Sequence, residues 1–217
     1  MTDAFLAGRT ALVTGATSGI GLAIARVFGS AGLRVAINGL GDQALVEAAL
    51  AGIRAAGAPE ARHFAVDLRD AAAIDASMRE VEGFGPVDIL VNCAGVQHTA
   101  SLAEMPVERW DAILAINLSA AFHTMRAALP GMATRGYGRV INIASVHGLV
   151  ASVQKAPYVA SKFGLVGMSK VAALEYAAAG SRVTGGGNGQ LHLPGLGGNP
   201  ADRTADRGTR RRTRRQS

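Results

Sequence analysis

Tyr158 and Lys162 stand four residues apart in the stretch SVHGLVASVQKAPYVASK, which runs from Ser145 to Lys162. On a helix that spacing puts both side chains on one face, one turn from each other. A phenol ordinarily titrates near about 10, and a fixed ammonium beside it favours the phenolate. A tyrosine tuned in this way can give or take the proton when a hydroxyl and a carbonyl interconvert. Ser145 closes the apolar run Val140-Ile141-Asn142-Ile143-Ala144. A strand delivering that serine and a helix delivering the tyrosine could converge on one carbonyl oxygen. Tyr-x-x-x-Lys alone also describes many ordinary helix-surface pairs, so the surrounding elements have to carry the assignment.

Those elements begin with Thr10-Ala11-Leu12-Val13-Thr14, a short apolar run that ends in the glycine-rich turn TGATSGIG (Thr14 to Gly21). Apolar residues at helical spacing follow, so the segment reads as strand, turn and helix. Gly15, Gly19 and Gly21 let the backbone turn tightly and approach a ligand. The N–H groups and positive dipole end of the helix suit a pyrophosphate. The bland alternative is a tight turn with no ligand. Residues 33–38 read as a second strand, 61–66 as a third, 88–92 as a fourth and 139–143 as a fifth. Helices are expected over 43–56, 70–82, 107–133 and 157–179. Alternating strands and helices imply an α/β doubly wound parallel sheet, Rossmann-like, with ligand at the carboxyl ends of the strands. Gly15, Asp67, Asn92 and Ser145 all fall at such ends.

Several of these residues carry two readings. An acidic residue often follows the second strand of NAD enzymes and holds the ribose 2′-hydroxyl. Here the sequence is Asn38-Gly39-Leu40-Gly41-Asp42. It has no basic residue for a 2′-phosphate, which favours NAD over NADP, and Asp42 is expected to cap the next helix. Asp67 could accept from an adenine amino group or cap helix 70–82. Asn117, amid apolar neighbours, could be a satisfied structural amide or hold a water behind the site.

The chain has 217 residues, 49% hydrophobic and only 5% aromatic, so Ala, Val, Leu and Ile must do the packing. That suits a parallel sheet covered by helices. The net charge of +6 is concentrated at the end of the chain. Residues 185–217 hold seven arginines against Asp202 and Asp206, and the rest is close to neutral. A nucleic-acid role for the body is therefore not expected, and the tail lacks aromatic residues to stack bases. No apolar run is expected to reach the roughly 18 residues of a membrane span. The single cysteine, Cys93, reads as a small hydrophobe and fits a reducing cytoplasm. The N-terminus does not read as a secretory signal.

Together the residues resemble the short-chain dehydrogenase/reductase family. The resemblance rests on TGATSGIG (14–21), Asp67, NCAG (92–95), Asn117, Ser145, and Tyr158 with Lys162, in order and at the right spacing from about residue 6 to 184. It implies a catalytic tetrad of Asn117, Ser145, Tyr158 and Lys162. Tyr158 would move the proton and Ser145 would hold the substrate oxygen. Lys162 would bind nicotinamide-ribose hydroxyls and ease the proton off the phenol, and Asn117 would support a water-linked proton path. NAD would be held by Gly15, Thr17, Ser18, Gly19, Ile20, Gly21, Asp67, Leu68, Asn92, Ala94 and Gly95, together with Tyr158 and Lys162. No metal is implied. The stretches AGVQHTA (94–100), NGLGD (38–42) and 145–162 resemble the subfamily of D-3-hydroxybutyrate dehydrogenases, enzymes of ketone body metabolism. In that likeness Gln97, His147 and Lys155 would surround a small carboxylate substrate, with Ser145 and Tyr158 at its reacting oxygen. His98 is given no role. The intact family form would be a homo-oligomer, a tetramer, in the cytoplasm, without membrane or nucleic-acid partners.

The resemblance stops after Thr184. Residues 185–217 hold eight glycines, no aromatic residue and no periodicity, so they are expected to be a disordered Gly/Arg-rich tail. The domain would then be residues 1–184, with its C-terminal strands missing and apolar faces of strand 139–143 and helix 157–179 left uncovered. Written as plausible codons and read one base later, Asn188 to Pro200 can spell TVNCTCPGWVETP, the strand and Pro-Gly-Trp turn the family places here. That points to a single-base frameshift and to a poorly active chain. Two other readings stand beside the first: a short-chain reductase for another small ketone or alcohol, and a non-catalytic nucleotide-binding remnant.

Overall fold

The computed structural model describes residues 6–177, 181–187 and 189–191. Seven strands form one sheet: β1 (Thr10–Val13), β2 (Arg34–Ile37), β3 (Ala61–His63), β4 (Val87–Asn92), β5 (Gly138–Ile143), β6 (Ser181–Gly187) and β7 (Gly189–Leu191). Their order is β3-β2-β1-β4-β5-β6-β7. The first six are parallel, and β7 turns back antiparallel on β6. The helices are α1 (Gly19–Ser30), α2 (Gln43–Ala55), α3 (Ala71–Phe84), α4 (Val107–Leu114), α5 (Ala120–Thr134) and α6 (Ala156–Tyr176). Chain direction switches sides between β1 and β4, which opens the ligand crevice of a doubly wound sheet.

Alternation along the strands feeds two cores. In β1 and β4, Leu12 and Leu90 point to one face, where Phe64, Ile74, Met78, Met125, Leu129 and Met132 pack. Val13 and Val91 point to the other, against Ala25, Leu33, Ile37 and Ile53. The all-buried pattern of β1 and β4 is that of strands covered on both sides.

Asp42 accepts from the Leu45 N–H as the N-cap of α2, as expected. At α3 the cap is Asp70, which accepts from Ala72 and Ala73 N–H, so Asp67 does not cap this helix. The third strand ends at His63, not Val66. The amide of Asn38 takes the carbonyls of Phe64 and Val66 at 3.1 and 3.2 Å, in place of strand partners.

Residues 107–134 form one continuous helical run whose middle, Ala115–Ser119, is a π turn. By length and composition alone this 28-residue run is apolar enough to cross a membrane, which corrects the expectation that no segment would be. Here Met125, Ala128, Leu129 and Met132 spend that apolarity in the core beside the sheet.

Beyond β5 the sheet continues through β6 and the short β7, as far as Leu191. β6 pairs with β5 from Gly138↔Ser181 through Ile143↔Gly186, so β5 is covered on both edges. The strand runs through Gly185–Gly187 and continues as β7 because a ladder is a backbone property, which glycine supplies despite its entropic cost. Residues 192–217, on which the expectation of disorder mainly falls, lie outside the described residues.

A buried polar chain ties the layers together. Thr124 Oγ1 donates to Asn92 Oδ1 at 2.7 Å, Asn92 Nδ2 to Asn142 Oδ1 at 2.8 Å, and Asn142 Nδ2 to Ser169 Oγ at 2.8 Å. It links α5, β4, β5 and α6, and Asn142 is fully buried. Asn142→Leu strands the Asn92 donor and should lower stability by about 1–3 kcal/mol in denaturant unfolding. An unchanged unfolding midpoint would mean that the chain of amides is not closed in solution.

Candidate active site

Gly15 and Gly19 have φ of +65° and +56°, a region costly for residues with a Cβ. A Cβ on Gly15 would lie 2.7 Å from Ala94 Cα, so the turn after β1 is pressed against the loop after β4. Thr14 fixes that contact, because its Oγ1 accepts from the N–H groups of both Cys93 and Ala94 at 3.1 Å. Beyond the turn, Ser18 is the N-cap of α1 but makes no side-chain cap bond, and the first helical turn carries no acidic residue. The leading N–H groups of α1 are left for an anion. A Cβ on Gly19 would meet nothing within 4 Å. The turn therefore fits the pyrophosphate of a dinucleotide on its own geometry.

A cavity of about 900 Å³ opens above this turn. It brings together most of the residues expected at a cofactor: Gly15, Thr17, Ser18, Gly19, Ile20 and Gly21 from the turn, and Asp67 and Leu68 after β3. Ala94, Gly95 and Gln97 join from the loop after β4, and Tyr158 and Lys162 from α6. Its volume lies within the usual range for small-molecule and cofactor sites.

Asn92 is not among the lining residues. Its side-chain oxygen and nitrogen are engaged by Thr124 and Asn142 inside the core. Asn117 is also turned away. Its Oδ1 accepts from Val96 N–H at 2.8 Å and its Nδ2 donates to the Val96 carbonyl at 2.9 Å. At 2% exposure its side-chain amide is satisfied within the fold. The π turn at Ala115–Ser119 carries Asn117, a local form often found at functional sites. A Cβ placed on Gly95 would sit 3.5 Å from Asn117 Oδ1 and 3.8 Å from Lys162 Nζ, so α6, the π turn and the β4 loop converge there.

On α6, Lys162 is 4% exposed and donates to the Ile143 carbonyl at 2.8 Å. Its Nζ lies 5.6 Å from the centre of the Tyr158 ring. The four-residue spacing thus delivers the amine beside the phenol, and the end of β5 anchors it. Burial pushes the Lys162 ammonium below its usual range, partly offset by Cys93. Burial pushes the Cys93 thiol up, against the pull of Lys162. A thiol held protonated is a poor nucleophile, in keeping with its reading as a small hydrophobe.

Ser145 is the N-cap of a short 3₁₀ turn, Val146–Gly148, and its Oγ accepts from His147 N–H at 3.2 Å. The turn lies close on α6, since a Cβ on Gly148 would come within 3.0 Å of the Lys162 carbonyl. The His147 ring meets the Tyr158 ring edge-on at 6.1 Å. Of the three expected substrate residues, only Gln97 lines the cavity. Lys155 sits at the N-cap of α6, next to Gln154, whose φ is +60°. The Gln154 carbonyl accepts from Ala100 N–H, which ties the loop before α6 to the loop after β4.

Asp67 keeps its place at the cavity, but Arg69 grips it through Nε, Nη2 and its backbone N–H at 2.6–3.1 Å. The side-chain bonds from Arg69 first, and its backbone bond second, lower the carboxyl from 3.8 to about 2. A depressed carboxyl stabilises the folded state above its ordinary value, and that contribution fades as pH falls toward the depressed one. The Asp67 carboxylate should therefore persist through pH 4, with an NMR titration midpoint near 2; a midpoint near 3.8 would mean the Arg69 grip is lost in solution.

Sequence reasoning missed one wall of the cavity. Arg109, Ala112, Ile113 and Ile116 line it from α4 and the π turn. Their i, i+3, i+4, i+7 spacing was a legible signal of a shared face, but nothing in it distinguished a ligand face from a core face.

The model of the family described as short chain dehydrogenase matches residues 9–191, past the expected limit at 184. The D-beta-hydroxybutyrate dehydrogenase of Cupriavidus necator is 53% identical over 180 residues, covering 81% of this chain and 67% of that protein. The enzyme of the same name from Rhizobium meliloti is 46% identical over 176 residues, covering 81% and 68%. A crystal structure from Agrobacterium tumefaciens, provisionally assigned as a gluconate dehydrogenase, superposes with a TM-score of 0.79 at 35% identity, covering 84% of this chain and 72% of that one.

Proposed function

The chain belongs to the short chain dehydrogenase family, close to 3-hydroxybutyrate dehydrogenases, and from that premise we propose that it is an NAD-dependent oxidoreductase interconverting 3-hydroxybutyrate and acetoacetate. The observation that carries the reading is the buried Lys162 amine beside the Tyr158 ring, in the same cavity as the glycine turn. A nicotinamide bound there would supply or accept the hydride. Tyr158 moves the proton at the substrate oxygen, and Lys162 supplies positive charge beside it. Ser145, whose oxygen already accepts from His147 N–H, keeps its own proton to donate to that same oxygen. Asn117 acts through the backbone of Val96, holding the loop that carries Gly95 and Gln97. Gln97, His147 and Lys155 are the groups proposed to receive the substrate carboxylate. NAD is favoured because Asn38, Gly39 and Leu40 offer no cation to a 2′-phosphate at the end of β2.

A second reading, a short-chain reductase for another small ketone or alcohol, is supported by the position of Lys155 and His147 outside the cavity lining. A panel of 3-hydroxy acids, sugar alcohols and ketoacyl substrates with NAD and NADP separates the two. 3-Hydroxybutyrate with NAD should give the highest kcat/KM; a preference for an uncharged alcohol would transfer the assignment to the second reading. The panel is run on this chain and on a version read one base later beyond residue 184, and turnover is expected chiefly in the latter. Resequencing across codons 184–190 tests the frameshift directly.

A further inference from the structure

His63, the last residue of β3, places Nε2 3.0 Å from the carbonyl oxygen of Gly39. Gly39 sits in the loop after β2, and this loop is held from three sides. A Cβ on Gly39 would stand 2.6 Å from Thr17 Oγ1, so no side chain fits there. Thr17 Oγ1 donates to the Leu40 carbonyl at 2.7 Å, fastening the loop to the glycine turn. The Asn38 amide fastens it to the segment after β3.

Orientation follows from peptide geometry. In a trans peptide the carbonyl and the next N–H point in opposite directions. His63 borders a groove behind the loop, with Glu47, Arg54 and Arg62, while Gly39 and Leu40 line the main cavity. A Gly39 carbonyl turned back toward His63 therefore turns the Leu40 N–H away from that groove, toward the cavity. Among the described residues this N–H has no acceptor. It lies at the end of β2, where the ribose of a dinucleotide is expected and where this chain carries no acidic side chain.

We propose that His63 is a positioning residue for the nucleotide: by holding the Gly39 carbonyl it aims the Leu40 N–H at a ribose hydroxyl oxygen of a bound adenine nucleotide. The inference rests on the reading of the cavity as a dinucleotide site. The backbone then does the work that an acidic side chain does elsewhere, with the N–H as donor and the hydroxyl oxygen as acceptor. Either the neutral Nε2–H tautomer or the protonated ring serves.

The test is calorimetric titration of ADP-ribose into the full chain, its His63→Ala variant and its His63→Gln variant. His63→Ala should bind ADP-ribose about three- to tenfold more weakly. His63→Gln, whose amide can donate to the same carbonyl, should recover most of that affinity. Nicotinamide mononucleotide, which lacks the adenosine half, should bind parent and variants alike. Equal ADP-ribose affinity in His63→Ala and parent would overturn the inference and leave the dinucleotide reading intact. So would a His63→Gln variant as weak as His63→Ala, or an equal loss for the mononucleotide, since either is what general loosening of the fold would produce. A parent chain that binds no adenine nucleotide would overturn the cavity assignment and this inference with it.

Discussion

Tyr158→Phe should reduce turnover of the frame-restored enzyme by about 10²–10⁴-fold, the range set by losing a positioned general acid or base. The expected effect is on kcat far more than on nucleotide affinity, to which Tyr158 is one contact among many. Phenylalanine keeps the ring, and with it the edge contact to His147 and the place beside Lys162. Only the oxygen that carries the proton is lost. Initial rates at saturating cofactor, paired with a direct binding measurement, separate the two quantities. Alcohol oxidation at the parental rate would remove Tyr158 from the chemistry and leave the proposed reaction without its proton carrier. Lost binding along with lost rate would instead mean that the substitution had disturbed the cavity.

Gly15→Ala is expected to damage the nucleotide half in two ways. It forces a Cβ into a φ of +65°, at about 1–2 kcal/mol. It also drives that Cβ to 2.7 Å from Ala94 Cα, a backbone atom whose neighbouring N–H is tied to Thr14 and cannot easily retreat. Overpacking of this kind costs about 1–3 kcal/mol. Gly15→Ala should therefore lower both thermal stability and nucleotide affinity. Gly19→Ala provides the contrast. Its Cβ meets open space, so only the conformational cost falls on stability, while the methyl occupies room at the helix N-terminus where the pyrophosphate is expected. A large loss of affinity with a small loss of stability is the expected signature at Gly19. Equal effects at the two glycines would contradict the account of the turn as one face pressed on Ala94 and one face open to ligand.

Much of the site is legible because its parts are local. The Tyr158–Lys162 spacing, the strand–turn–helix around Gly15 to Gly21 and the cap at Asp42 depend on residues within a few positions of one another. Their geometry follows from helix periodicity and turn chemistry. Asp67 is less legible. Its two candidate roles look alike in sequence, and the cap was decided by Asp70, three residues on. The β6–β7 extension is less legible, because a glycine-rich string looks unstructured by composition while strand pairing there needs only backbone.

The sequence by itself determined the layered α/β plan, the glycine turn and the phenol–amine pair, since each is written in short-range spacing. Tertiary structure alone decided where the polar side chains turn. Asn92 faces Asn142 and Thr124, Asn117 faces Val96, and His63 faces Gly39, across separations of more than twenty residues. A buried amide or imidazole takes whichever partner the packed sheet brings within hydrogen-bond reach, and leaving it unmet costs more than any local preference returns.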